Sequence, residues 1–140
     1  MNKSLVVYKA SAGSGKTFTL TIEYIKLLIL NPQAFHSILA VTFTNKATEE
    51  MKLRILSQLY GIWKNLDDSQ SYIQTICIDL NVSADFVSKR AGVAIKLLLH
   101  NYNKFHVETI DSFFQSILRN LSRELDLTTN LRIELNDTQI

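Results

Sequence analysis

Cysteine is almost missing from this chain. Cys77 stands alone among 140 residues, which excludes a disulfide framework and a cysteine-based zinc site, and its expected role is a buried, inert thiol. Charge of one sign is scarce as well. Fifteen Lys and Arg against 13 Asp and Glu leave a net charge of +2, too weak to argue nucleic-acid binding by itself. No apolar run approaches the length of a membrane span. Met1-Asn2-Lys3-Ser4 leads directly into a short apolar stretch, so no signal peptide is read and the expected location is cytoplasmic. Internal repeats, low-complexity tracts and evident linkers are lacking too. The 46% apolar content suits one soluble globular domain, or part of one.

Against that plain background, Ala10-Ser11-Ala12-Gly13-Ser14-Gly15-Lys16-Thr17 stands out. The apolar run Leu5-Val6-Val7-Tyr8 precedes it and the helical pattern Thr19–Ile25 follows. Strand, Gly-rich loop, Lys-Thr and helix is the construction of a phosphate-binding loop. Gly13 and Gly15 let backbone N–H groups turn toward phosphates without a Cβ in the way. The following helix points its unpaired N–H groups and positive dipole end at the same place. Lys16 has the reach for β- and γ-phosphates, and the Thr17 hydroxyl is placed to ligate Mg²⁺. The candidate nucleotide site is therefore Ser11, Ala12, Gly13, Ser14, Gly15, Lys16, Thr17 and Phe18, with Lys16 as the catalytic candidate, ATP as cofactor and Mg²⁺ on Thr17. The general pattern has Gly where this chain has Ala10.

The rest of the chain alternates strands and helices. Residues 4–10 are expected as a strand and 16–30 as a helix with Leu20, Tyr24, Leu27 and Leu28 on one face, stopped by Asn31-Pro32. Residues 37–42 are a continuous apolar run suited to a buried parallel strand. Thr44 or Asn45 caps a helix over 46–63, with Ala47, Met51, Ile55, Leu59 and Ile62 along one side. Residues 70–100 read as mostly helical, broken near Asn81-Val82-Ser83. A strand over 105–110, a helix over 112–125 and a short strand over 131–135 complete the pattern. The class is α/β, with a parallel sheet flanked by helices. Ligands of such sheets sit beyond the carboxyl ends of the strands.

Two further segments fall at that edge. Thr42-Phe43-Thr44-Asn45-Lys46 gathers hydroxyls, an amide, an ammonium and an aromatic face beside a helix start, a set that suits the backbone and bases of a nucleic acid. Thr109, with Asp111, Ser112 and Phe113, repeats the theme at the next strand-to-helix corner. Ordinary capping chemistry with core aromatics produces the same pattern. His36, His100 and His106 lack metal-ligand spacing and read as surface or capping residues, and Leu97-Leu98-Leu99 reads as core.

Taken together, Ala-Ser-Ala-Gly-Ser-Gly-Lys-Thr, then Val-Thr-Phe-Thr-Asn-Lys-Ala-Thr-Glu-Glu-Met-Lys-Leu-Arg-Ile, then Thr-Ile-Asp-Ser-Phe resemble three consecutive motifs of superfamily 1 DNA helicases of the UvrD/Rep group. They are nearest to the RecB/AddA-like helicase–exonuclease branch. The resemblance spans nearly the whole chain, and Ala10 belongs to that family's version of the loop. It implies a P-loop NTPase of RecA-like fold, ATP with Mg²⁺, and a single-stranded DNA path lined by Thr42, Phe43, Thr44, Asn45 and Lys46 with Thr109 and Phe113. The family often has His where this chain has Asp111.

The family completes its site with an Asp-Glu pair after a later strand and arginines from a second domain. No Asp-Glu pair occurs in this chain; Asp79 and Asp111 each end an apolar or alternating run, but no acid follows either. The resemblance thus implies the N-terminal part of a first RecA-like domain, with a helical insertion at about 66–104, further helicase domains, and a possible partner nuclease or helicase subunit. Such a piece is expected to lack turnover and to leave apolar surface uncovered. A small P-loop kinase and a non-hydrolysing nucleotide-binding module remain alternatives.

Overall fold

The computed structural model describes residues 15–125, with side chains from Phe18 onward. The strands expected over 4–10 and 131–135, and loop residues Ser11 to Ser14, lie outside the described residues. Among the described residues, five α-helices and two short strands, joined in places by three short 3₁₀ segments, follow in the order α1 (Gly15–Leu30), β1 (Ala40–Thr42), α2 (Asn45–Lys64), α3 (Gln70–Leu80), α4 (Ala84–His100), β2 (Val107–Thr109) and α5 (Ile110–Glu124).

Helix boundaries follow local chemistry. Asn31 ends α1 and caps the 3₁₀ turn Pro32–Ser37, its side chain accepting from the Gln33 N–H at 3.2 Å, with Pro32 at the first position where no N–H is needed. Helix α2 ends on Asn65 and α3 on Asn81, both left-handed with φ of 56° and 52°. Asparagine tolerates that conformation better than any bulkier residue except glycine. Ser83 starts α4 by accepting from the Phe86 N–H at 3.2 Å.

The two strands pair in parallel, Ala40 beside Val107, Val41 beside Glu108 and Thr42 beside Thr109. A parallel pair requires a long crossover. Here the crossover consists of α2, α3, α4 and their connections, so residues 67–104 are helical apart from short joints. The described residues are therefore mainly helical around a small parallel sheet. The core lies where α1, α2, α3 and α4 meet, with Ile25, Leu28, Ile55, Leu59, Ile62, Ile76 and Leu98 fully excluded from solvent. Burying each such side chain contributes roughly 1.5–3 kcal/mol.

Several sequence expectations are corrected by this packing. Leu27 is exposed, and Thr21, Ile22, Ile25 and Ile29 join Tyr24 and Leu28 on the buried side of α1, because α1 packs against α2 on one flank and α3 and α4 on the other. On α2 the buried face begins at Thr48 rather than at half-buried Ala47. Leu99 is exposed while Leu98 is core, since α4 meets α2 along a single face. Cys77 is only half-buried, on the α3 flank. The first strand shortens to Ala40–Thr42 because the 3₁₀ turn consumes residues up to Ser37.

Lys26 joins α1 to α3. Its ammonium donates to Glu23 at 2.9 Å and to Asp79 at 3.1 Å, and the hydrogen bond to Glu23 foremost holds its pKa above the ordinary lysine value. Asp79 lies on helix α3, away from any strand end. Helix α5 differs from the others. None of its residues is buried, and Phe114, Ile117, Leu118 and Leu121 form an exposed stripe at helical spacing, continued by Leu125 just past its end. Among the described residues, no helix is long and apolar enough to cross a membrane.

Helices α2 and α4 pack closely at Gly92, where a Cβ would stand 2.6 Å from Trp63 Cδ1 and Nε1. Gly92→Ala must displace the indole. Despite the gain in helix propensity, it is expected to lower stability by about 1–2 kcal/mol, read as a lower urea midpoint with altered emission of the single tryptophan.

The Tyr24 ring packs 5.8 Å from Phe105, and its buried hydroxyl has no hydrogen-bond partner. Burial drives its pKa far above the ordinary tyrosine value. The unfolded chain ionises this phenol near pH 10 and the folded chain resists, so its contribution is full below about pH 10 and falls as pH rises further. Tyr24→Phe removes the unpaired hydroxyl. It is expected to raise stability by about 1 kcal/mol and to make the alkaline loss above pH 10 shallower in thermal melts.

Candidate nucleotide and nucleic-acid site

Gly15 opens α1, with Lys16 and Thr17 in its first turn. The first backbone N–H groups of any helix have no internal acceptor, and this first turn carries no acidic side chain to neutralise them. That donor set fits an anion such as a phosphate, with an ammonium and a hydroxyl supplied by the same turn. The Phe18 side chain is half-buried, its ring 4.6 Å from that of Tyr72 on α3, so it anchors the start of α1 to the core.

The sheet brings the other two segments together. Because Thr42 and Thr109 are partners in register, the chain leaves both strands at the same edge and enters α2 and α5 side by side. Both corners are capped in the same way. Thr44 Oγ1 accepts from the Ala47 N–H at 3.0 Å, and Thr109 Oγ1 accepts from the Ser112 N–H at 3.2 Å. Capping chemistry is therefore present at both corners, as the residue types allowed.

The remaining side chains of the first corner divide by exposure. The Phe43 ring is 63% exposed, and Asn45 and Lys46 are exposed beside it. Lys46 lies only loosely toward Glu50, at 4.0 Å. Thr42 is half-buried and turned inward. Its hydroxyl stands 2.5 Å from Thr48 Oγ1, 3.3 Å from the Thr44 carbonyl and 3.4 Å from the Glu108 carbonyl. At the second corner Phe113 is half-buried, its ring 6.1 Å from that of Phe114, and Asp111 is exposed in the first turn of α5. A carboxylate there suits the helix dipole and repels a phosphate.

Sequence reasoning alone does not bring Thr48 into the site. A signal for it exists nonetheless: a hydroxyl residue at the apolar phase of α2, in line with Met51, Ile55, Leu59 and Ile62. His36 and His100 are exposed, with His100 Nδ1 2.7 Å from the Lys96 carbonyl, and His106 is half-buried 3.9 Å from Glu108.

The chain is 36% identical over 124 residues to the RecBCD enzyme subunit RecB of Buchnera aphidicola, covering 79% of this chain and 10% of that protein. It is 35% identical over 132 residues to an ATP-dependent helicase/nuclease subunit from a Thermoanaerobacter species, covering 93% of this chain and 9% of the relative. The DNA helicase II of Haemophilus influenzae is 34% identical over 110 residues, covering 68% and 15%. The chain thus spans between 9% and 15% of the length of these relatives. No solved structure matches it significantly. The family model for the UvrD/REP helicase N-terminal domain matches residues 1–140, and the chain belongs to that family.

Proposed function

We propose that this chain is the nucleotide-binding, strand-gripping part of an ATP-dependent DNA helicase, coupled in its longer form to nuclease action. The observation that carries the DNA half of this reading is the in-register pairing of Thr42 with Thr109, which sets two strand-to-helix corners at one sheet edge with Phe43 standing out into solvent. Family membership supports the ATP half.

In this reading the backbone of Ala12 to Lys16, flanked by Ser11 and Phe18, holds the phosphates of ATP. Lys16 neutralises their outer charge and Thr17 ligates Mg²⁺. The metal supplies charge neutralisation across the β- and γ-phosphates. Phe43 offers a face to a base, Asn45 and Lys46 meet the sugar–phosphate backbone, and Thr44, Thr109 and Phe113 shape the floor of the path. Contacts of this kind are sequence-tolerant and weaken with salt.

Turnover needs an acid pair that this sequence does not carry, and the chain by itself binds nucleotide without hydrolysing it at a useful rate. Residues 66–104 then form a helical insertion in a RecA-like domain. The exposed stripe of α5 is the face on which further motor-domain chain packs. Two of the relatives are named as subunits, which supports a partner subunit for the longer protein.

The test separates the two halves. Lys16→Ala is expected to weaken binding of a fluorescent ATP analogue at least tenfold while leaving oligo-dT binding within twofold. Phe43→Ala is expected to do the reverse, weakening oligo-dT binding about tenfold, since stacking on one aromatic is worth roughly 1–3 kcal/mol per base. Nucleotide binding that ignores Lys16→Ala overturns the ATP reading, and oligo-dT binding that ignores Phe43→Ala overturns the DNA reading.

A further inference from the structure

We infer that Thr48, through its hydroxyl, is the positioning residue that holds the β1–α2 corner and so fixes where Phe43 points. The inference rests on the reading of this corner as the DNA-facing one. Thr48 is 8% exposed and reaches no solvent-facing ligand; all of its polar contacts are to the corner itself. Its Oγ1 lies 2.5 Å from Thr42 Oγ1 and 3.2 Å from the Thr44 carbonyl, which also accepts the Thr48 N–H at 3.0 Å.

Each hydroxyl has one proton, so only two arrangements satisfy the set. Either Thr42 donates to Thr48 and Thr48 donates to the Thr44 carbonyl, or Thr48 donates to Thr42. In the second case Thr42 donates to the carbonyl of Thr44 or to that of Glu108 on the neighbouring strand. In both cases the two hydroxyls form a chain that ends on backbone and encloses residue 43 from either side. Phe43 itself has little packing to hold it, being 63% exposed. Its direction is therefore set by the backbone of Thr42 and Thr44, and that backbone is tied to the buried face of α2 by Thr48. Thr42 follows as a positioning residue too, with its hydroxyl committed inward rather than offered to a strand.

The chain has a single tryptophan, Trp63, so combining Trp63→Phe with Phe43→Trp places the only indole at the corner. In that background, Thr48→Val removes the hydroxyl at constant volume and Thr48→Ser keeps it. The readouts are indole anisotropy without DNA, and affinity and salt slope for oligo-dT. Thr48→Val is expected to lower the anisotropy and weaken oligo-dT binding about fivefold, with an unchanged salt slope because no phosphate contact is lost. Thr48→Ser is expected to restore both within twofold. Thr42→Val cuts the same link from the strand side and is expected to match Thr48→Val, which keeps the test decisive should Thr48→Val fail to fold.

An indole as ordered in the Val variants as in their parent overturns the inference. So does a Ser variant that behaves like Val, since the methyl rather than the hydroxyl is then what matters. Loss of the DNA reading alone is recognised separately: oligo-dT binding then ignores Phe43→Ala, while the anisotropy without DNA still judges Thr48.

Discussion

The packing of α2 against α4 is the constraint from which the rest follows. A parallel ladder of three residues a side has too few hydrogen bonds and too little buried surface to stand alone. What brings Ala40–Thr42 beside Val107–Thr109 is the helical crossover between them. Its stability comes from Ile55, Leu59 and Ile62 on α2 meeting Val87, Ala91, Ala94, Ile95 and Leu98 on α4, with α1 and α3 closing the core. Small residues on α4 let the helices approach: Trp63 lies against Gly92, and the Trp63 carbonyl accepts from Ser88 Oγ at 2.8 Å. Relax that seam, and the strand ends lose their register.

The candidate site inherits rigidity from this scaffold at unequal distances. The start of α1 is anchored by Phe18 against Tyr72, within the helical core. The β1–α2 corner sits at the top of α2, tied down by Thr42, Thr44 and Thr48. The β2–α5 corner is the least supported: α5 touches chiefly the strands at its beginning and buries none of its side chains. The sheet edge thus has one firm side and one side whose helix presents an exposed apolar stripe.

A consequence concerns how residues named by a motif divide their labour. Of the five residues in the run from Thr42 to Lys46, Thr42 and Thr44 spend their hydroxyls on the protein, whereas Phe43, Asn45 and Lys46 face outward. Extended backbone turns Thr42 and Phe43 to opposite sides, whereas Asn45 and Lys46 stand outward on the exposed first turn of α2. The same run therefore spends some side chains on capping and leaves others open to solvent.

Much of the fold was legible in the residues themselves. Helices over 16–30 and 46–63 and the break near Asn81 are local events, dictated by apolar periodicity, by Pro32, and by asparagines that accept a left-handed turn. The phosphate-loop pattern and the Val41–Ile55 run are likewise contiguous, so their resemblance to helicase motifs could be read without coordinates. What the chain alone did not reveal were the contacts between distant segments. Periodicity marks an apolar side of α1 but not its width, which depends on the helices that flank it: Leu27 lies outside the buried face, and Ile25 and Ile29 lie within it. The inward turn of Thr42 and the buried hydroxyl of Thr48 could not be told from an ordinary threonine-rich cap. A hydroxyl's role depends on the atoms within about 3 Å of it, and those come from another strand and another helical turn. Sequence determined the elements and the chemistry they carry; only tertiary structure, by choosing neighbours across the 64 residues between the strands, decided which of those groups face a ligand and which hold the frame.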